Sequence, residues 1–307
     1  MLKAVISLLI LTINSIGFSK ISEAEWTSLC TSATGQRKHT CEVLKKKSRI
    51  TPENSSGNWT DVYKFLSTNQ YLSLEHSLIS DLTPLAGFTN LKELNLDRNK
   101  ISDLSPLENL KNISKIFLDN NKISDISALT GLEKLEHVYL AGNKIANIEA
   151  LIGLTNLKTL VLMNNQISNL AAITELTNME YLNLADNQIF DLTPLTESTN
   201  LLCLAVEDNQ ISDFSPVDHV DIVLGKEEQN IPPVPVEYQL DFRPPLDSEI
   251  NNEEVICPVC LNEYDEGAEI SEIPVCRHFF HKECLGLWLN KHDNCPFCRV
   301  SLAHKEK

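Results

Sequence analysis

Apolar residues return along the middle of this chain every 22 positions, with a fixed internal rhythm. In the segment LKELNLDRNKISDLSPLENLKN, beginning at Leu91, they fall at offsets 0, 3, 5, 10, 13 and 16, and usually 19. Segments beginning at Ile113, Leu135, Leu157, Met179 and Leu201 repeat the pattern, and a degenerate copy begins at Asn69, giving seven units over residues 69–221. The alternation at offsets 3 and 5 is that of a short strand with two inward side chains. An asparagine falls at offset 8 (Asn99, Asn121, Asn143, Asn165, Asn187 and Asn209), with Ser77 in its place in the first copy. A carboxamide there can bond to turn backbone that would otherwise be buried without partners, so a ladder of asparagines is expected through the stack. Pro84, Pro106 and Pro194, inside short D-L-x-P-L segments, predict brief 3₁₀ turns on the opposite side. No unit can close its own core, so the copies must stack as a one-dimensional solenoid.

The match to L-x-x-L-x-L-x-x-N-x-I/L identifies leucine-rich repeats. The 22-residue unit carrying I-S-D-L-x-P-L resembles the repeats of bacterial internalin-type surface proteins. That resemblance implies an α/β leucine-rich-repeat solenoid of short parallel strands with 3₁₀ turns on its convex side. Residues 20–68 are placed to form a small N-terminal helical cap, with helices expected near 23–31 and 38–47 and a polar turn over 52–58. Side chains flanking the inward leucines would line the concave face, among them Asn95, Asp119, His137, Val161, Asn183 and Glu207. Tyr71, Glu93, Phe117, Tyr139, Met163 and Tyr181 are the candidate target-binding surface, an aromatic and methionine stripe among acidic residues.

Charge narrows the possible partners. A net charge of −16 and a pI near 4.9 disfavour nucleic acid or an anionic membrane. Residues 1–19 read as a secretory signal peptide: Lys3, an apolar run over 4–13, then Gly17-Phe18-Ser19. That run is too short to span a bilayer. Residues 222–254 change character, with Pro232, Pro233, Pro235, Pro244 and Pro245 among acidic residues, and read as a semi-rigid linker. Of the nine cysteines, Cys203 reads as a packing residue on a repeat strand. Cys30 and Cys41 are open to two readings, a disulfide or two reduced thiols on short helices.

The other six join two histidines in the series Cys257-x₂-Cys260-x₁₅-Cys276-x-His278-x₂-His281-x₂-Cys284-x₁₀-Cys295-x₂-Cys298. Soft donors grouped in fours suit closed tetrahedral zinc sites. Paired zinc ribbons would not place Cys276, His278, His281 and Cys284 as one block, and PHD fingers have a single histidine at the fifth ligand. Over 255–302 the series resembles a RING finger of the RING-H2 type, the module with which many ubiquitin ligases recruit a ubiquitin-charged conjugating enzyme. The resemblance implies a cross-brace of two structural Zn2+ ions. Cys257, Cys260, His281 and Cys284 would hold the first, and Cys276, His278, Cys295 and Cys298 the second. It further implies that Val259, Trp288 and Pro296 contact the conjugating enzyme. Arg299 would stand as a "linchpin" cation that holds the ubiquitin thioester ready for attack, catalysis by positioning without a covalent intermediate. His292 falls at no ligand position and is expected in solvent. The whole reads as a RING-type E3 ubiquitin ligase that binds its target through the repeats. A leader peptide points outward, and internalin-like repeats beside a RING of eukaryotic type suggest one reconciliation, a secreted bacterial effector delivered to a host cytosol. The competing reading is a secreted or envelope binding protein in which zinc folds only an interaction module.

Overall fold

The computed structural model describes residues 21–48, 58–226, 257–262, 264, 268–273, 276, 278–297 and 302. The expected signal peptide, residues 1–19, and most of the expected linker, residues 222–254, lie outside these residues. Three helices open the described chain: α1 (Glu23–Thr31), α2 (Gly35–Lys47) and α3 (Trp59–Thr68). Ser22 and Glu25 form a capping box at the start of α1, and Asn58 accepts from the amide of Asp61 at the start of α3. The third helix is absent from the sequence expectation, although Asn58 ahead of an amphipathic run was its visible signal. Trp26 is fully buried, packs against Trp59, Tyr63 and Phe88, and donates from its indole nitrogen to the carbonyl of Pro84 (2.7 Å). The cap thereby seals the apolar end of the first repeat. Cys30 and Cys41 form a disulfide, which settles the choice left open above and ties α1 to α2.

Eight three-residue strands follow in a single parallel sheet, in chain order and with no crossover. They are β1 (Tyr71–Ser73), β2 (Glu93–Asn95), β3 (Lys115–Phe117), β4 (His137–Tyr139), β5 (Thr159–Val161), β6 (Tyr181–Asn183), β7 (Cys203–Ala205) and β8 (Ile222–Leu224). The register runs Leu72, Leu94, Ile116, Val138, Leu160, Leu182, Leu204, Val223, all of them buried. The sheet goes one strand further than the repeat pattern predicts. β8 falls inside the span read as linker, because Ile222 pairs with Cys203 after a spacing shortened from the 22-residue period.

The asparagine ladder ties each repeat to the one before it. Asn121 Nδ2 donates to Leu96 O (3.0 Å) in the preceding repeat and to Leu118 O (3.1 Å) in its own, while its Oδ1 accepts from Ile101 N (3.0 Å). The same set recurs at Asn99, Asn143, Asn165, Asn187 and Asn209. A second polar rule explains the 3₁₀ turns. The Asp or Asn two residues before each turn accepts from the turn's first amide, as Asp103 does from Ser105 N (2.9 Å) and Asn147 from Glu149 N (2.8 Å). A second column of asparagines, not foreseen from the sequence, runs along another corner. Asn112, Asn156, Asn178 and Asn200 each donate to a carbonyl 23 residues back, at 2.8 Å.

The C-terminal unit is built from a hairpin, β9 (Ile270–Glu272) with antiparallel β10 (Phe279–His281), running straight into α4 (Lys282–Leu289). Its small core of Tyr264, Ile270, Ile273, Phe280, Leu285 and Trp288 is buried, and it joins one apolar cluster with Tyr181, Cys203 and Ile222 of the repeats.

Candidate metal centre and the covered strand face

The C-terminal donors come together in two groups that interleave along the chain. Cys257, Cys260, His281 and Cys284 bring their ligand atoms within 4.8 Å of one another, and Cys276, His278 and Cys295 do the same. Cys298, the expected fourth donor of the second group, and Arg299 lie outside the described residues. Local structure explains the convergence. A tight turn at Cys257–Cys260, closed by Leu261 N donating to Cys257 O (2.8 Å), faces both thiols inward. β10 ends on His281, and the first turn of α4 returns Cys284 to the same point.

Spacing and chemistry both fit zinc. Cys260 Sγ lies 3.3 Å from His281 Nδ1, and Cys295 Sγ lies 3.7 Å from His278 Nδ1. The corresponding edges of a tetrahedral zinc site with thiolate and imidazole ligands are roughly 3.5–3.8 Å. Burial opposes charge on Cys257, yet hydrogen bonds with Cys260, Cys284 and His281 outweigh it and hold that thiol well below the usual range. The ionised Cys257 in turn pushes Cys260 and Cys284 up, through its hydrogen bonds and its charge. Three buried sulfurs this close could all ionise only beside a cation, and all four donors of this group belong to protein, which suits a structural site. Zinc held here would link the turn, the hairpin and α4, and so supply the folding free energy that a unit of this size lacks.

The candidate enzyme-contact residues are enclosed. Val259 is 2% exposed, Trp288 is 0% exposed and Pro296 is buried. Trp288 donates from its indole nitrogen to Asn294 O (2.8 Å). His292, expected in solvent, instead stacks on Trp288 with ring centroids 3.9 Å apart and lies 3.1 Å from Asp221 Oδ2. That correction follows from a contact between sequence-distant units, which no local pattern announces.

The face of the sheet changes character halfway along the stack. On β2, β3 and β4 the flanking side chains are half-exposed around a buried centre, whereas all three residues of β5, β6 and β7 are buried. The C-terminal unit lies against this second half. Tyr181 Oη donates to Pro296 O (2.9 Å), and Asn183 Nδ2 donates to Cys260 O (2.7 Å) and Asn262 Oδ1 (3.1 Å). Lys291 Nζ donates to Asp221 O (2.5 Å). The expected target-binding residues are thus divided. Tyr71 is exposed, Glu93, Phe117, Tyr139 and Met163 are half-exposed, and Tyr181 is covered. The sequence held a signal for this division: outward positions pass from Glu93, Lys115 and His137 to Cys203, Ala205, Ile222 and Leu224.

Beside the contact a cleft of about 830 Å³ stays open, walled by Phe117, His137 and Tyr139 on one side and Leu261, Tyr264 and Phe297 on the other. Phe117 and Tyr139 stack with centroids 4.7 Å apart. Burial, reinforced by Lys115, depresses the basicity of His137, while burial followed by Asp119 and Asp97 raises the Tyr139 phenol. The cleft therefore offers a neutral imidazole and a protonated phenol, groups suited to hydrogen bonding with a peptide.

Known proteins divide along the same line. Residues 255–299 match the family described as "Ring finger domain", and overlapping segments from 70 to 197 match "Leucine Rich repeats (2 copies)". The chain is a leucine-rich-repeat solenoid followed by a RING-H2 domain. Over the latter, "Putative RING-H2 finger protein ATL21A" of Arabidopsis thaliana is 47% identical across 51 residues, 17% of this chain and 14% of that protein. "E3 ubiquitin-protein ligase ATL59" of the same plant is 47% identical across 49 residues, 16% of this chain and 22% of that protein. Over the repeats, the crystal structure of an internalin C2 from Listeria monocytogenes superposes with a TM-score of 0.53 at 29% identity, covering 60% of this chain and 91% of that one. The chain spans only a small part of its plant relatives, 14% of the first.

Proposed function

We propose that this chain is a RING-type E3 ubiquitin transferase that works as a scaffold. Two structural zinc ions would hold the Cys257–Cys260 turn and the loop around Pro296 side by side. Val259, Trp288 and Pro296 would then meet a ubiquitin-charged conjugating enzyme, and Arg299 would fix the thioester in an attack-ready geometry. No cysteine of the chain carries ubiquitin in this mechanism; rate comes from positioning. The repeats would hold the protein target, with Phe117 and Tyr139 as anchors on the open half. The observation that carries the reading is the interleaving of two zinc-type donor groups, in a segment that resembles plant proteins named as ubiquitin ligases. The test is chain formation with ubiquitin, activating enzyme and a panel of conjugating enzymes. Activity that falls at least about ten-fold in Arg299→Ala supports it; no activity with any conjugating enzyme rejects it.

For location, the apolar leader over 4–13 and the internalin-like repeats support an exported bacterial protein that acts inside a eukaryotic cell. A second reading has its own observation. The Cys30–Cys41 disulfide suits an oxidising space, where a zinc-folded RING-like unit would serve only as a binding module. Zinc-loaded protein that engages no conjugating enzyme is the outcome that favours it.

A further inference from the structure

We infer that the repeats hold the RING-H2 domain closed: strands β6–β8 occupy the face through which it would receive a conjugating enzyme. The inference rests on the ligase reading and adds its regulation. Both loops that carry the candidate enzyme contacts are engaged through their backbone. Asn183 takes the Cys260 carbonyl next to Val259, and Tyr181 takes the carbonyl of Pro296 itself. Around these bonds Tyr181, Cys203 and Ile222 share an apolar cluster with Val259, Trp288 and Leu289. Asp221 completes the contact through His292 and Lys291, just beyond α4. A protein docking on Val259 and Pro296 must take the place of Tyr181 and Asn183, so the two occupancies exclude each other.

The bonds are of a kind that opens. The acceptors are the carbonyls of Cys260 and Pro296, which water can satisfy once the domain leaves. The side chains left behind on β6 and β7 are small or amphipathic, and solvent-facing residues already occupy the same register elsewhere. Cys203 is aligned, strand by strand, with Lys115 of β3 and Glu93 of β2. The repeat fold therefore accepts a charge at this position, whereas the docked domain does not.

That difference supplies the test. Cys203→Lys, in the full-length zinc-loaded protein, places on β7 what β3 already carries. Asn183→Asp is a second, nearly isosteric variant: its Oδ1 still accepts from Ala185 N, but a carboxylate replaces the amide that faced Cys260 O. Radius of gyration by small-angle scattering and discharge of ubiquitin from charged conjugating enzymes are measured together, with the repeat melting transition as the folding control. We expect unchanged melting, a larger radius for Cys203→Lys, and discharge at least about ten-fold faster than wild type, because apparent activity scales with the competent fraction. A larger radius with unchanged discharge overturns the inference, since the contact would then block nothing. An unchanged radius in both variants overturns it as well. If neither wild type nor either variant discharges ubiquitin although the radius grows, the ligase reading fails and this regulation falls with it, leaving only a docking contact.

Discussion

The two halves of the strand face are made from one repeat and lead different lives. β2–β4 set Glu93, Lys115, Phe117, His137 and Tyr139 around a buried centre, facing an open cleft. β5–β7 keep the same register and the same inward leucines, yet their outer positions are covered. Inward residues answer to the stack, because neighbouring units bury them whatever lies outside. Outward residues are free to vary, and here their drift towards small and apolar types records a second contact surface.

Removing the metal should break this contrast most completely. A chelator should unfold residues 257–302 while the repeats keep their melting transition, and Cys203, now 2% exposed, should become reactive. Thiol labelling followed by peptide mapping reads this directly. Labelling of the zinc-site thiols with Cys203 still protected would mean that the repeats cover their own second half. Before chelation, elemental analysis should count two zinc ions per chain.

The ladder beneath both halves should be indifferent to that contrast. Asn121→Ala under the open half and Asn187→Ala under the covered half each strip a buried amide from three carbonyls and an acceptor from one amide. Each should cost about 2–4 kcal/mol in denaturant unfolding. A much larger cost at Asn187 would show that docking, rather than stacking, sets stability there.

The open half carries a pH dependence. Asp97 is pushed up to about 8, first by burial and then by the charge of Asp119, whose amide its Oδ1 accepts. A carboxyl raised on folding binds its proton more tightly in the native state. Stability from this group is therefore present near pH 4 and lost as pH rises towards about 8. Asp97→Asn keeps the Oδ1 acceptor and should flatten that slope, leaving the variant more stable at pH 8 by on the order of 1–3 kcal/mol. Melting curves across that window decide it; equal slopes in both proteins would reject the assignment. The smallest effect belongs to the Lys158–Glu136 pair at 2.6 Å on an exposed edge. Lys158→Ala should shift stability by less than about 0.5 kcal/mol, and by less still in high salt.

Legibility followed the same division. The repeat was readable because each inward leucine and each ladder asparagine answers to a neighbour at a fixed sequence distance. The donors Cys257 to Cys295 were readable because metal geometry restricts residue type and spacing together. α3 was missed although Asn58 offered a cap, and β8 was missed because its spacing breaks the period. The contact of Asp221 with His292, or of Asn183 with Cys260, joins residues more than seventy positions apart. Nothing local fixes such a pairing, and only the run of Cys203, Ala205, Ile222 and Leu224 hinted that something would lie on top.

The ladder also works as a gauge. Each asparagine reaches back by fixed steps, accepting from an amide 20 residues earlier and donating to a carbonyl 25 residues earlier, and it needs nothing from farther away. Cutting out one whole unit, such as 113–134, would leave every remaining joint with a partner at the same step. What would change is reach: one fewer open rung between the sealed cap and the RING-H2 domain. Unit number is therefore a length setting that can be altered without recutting either end.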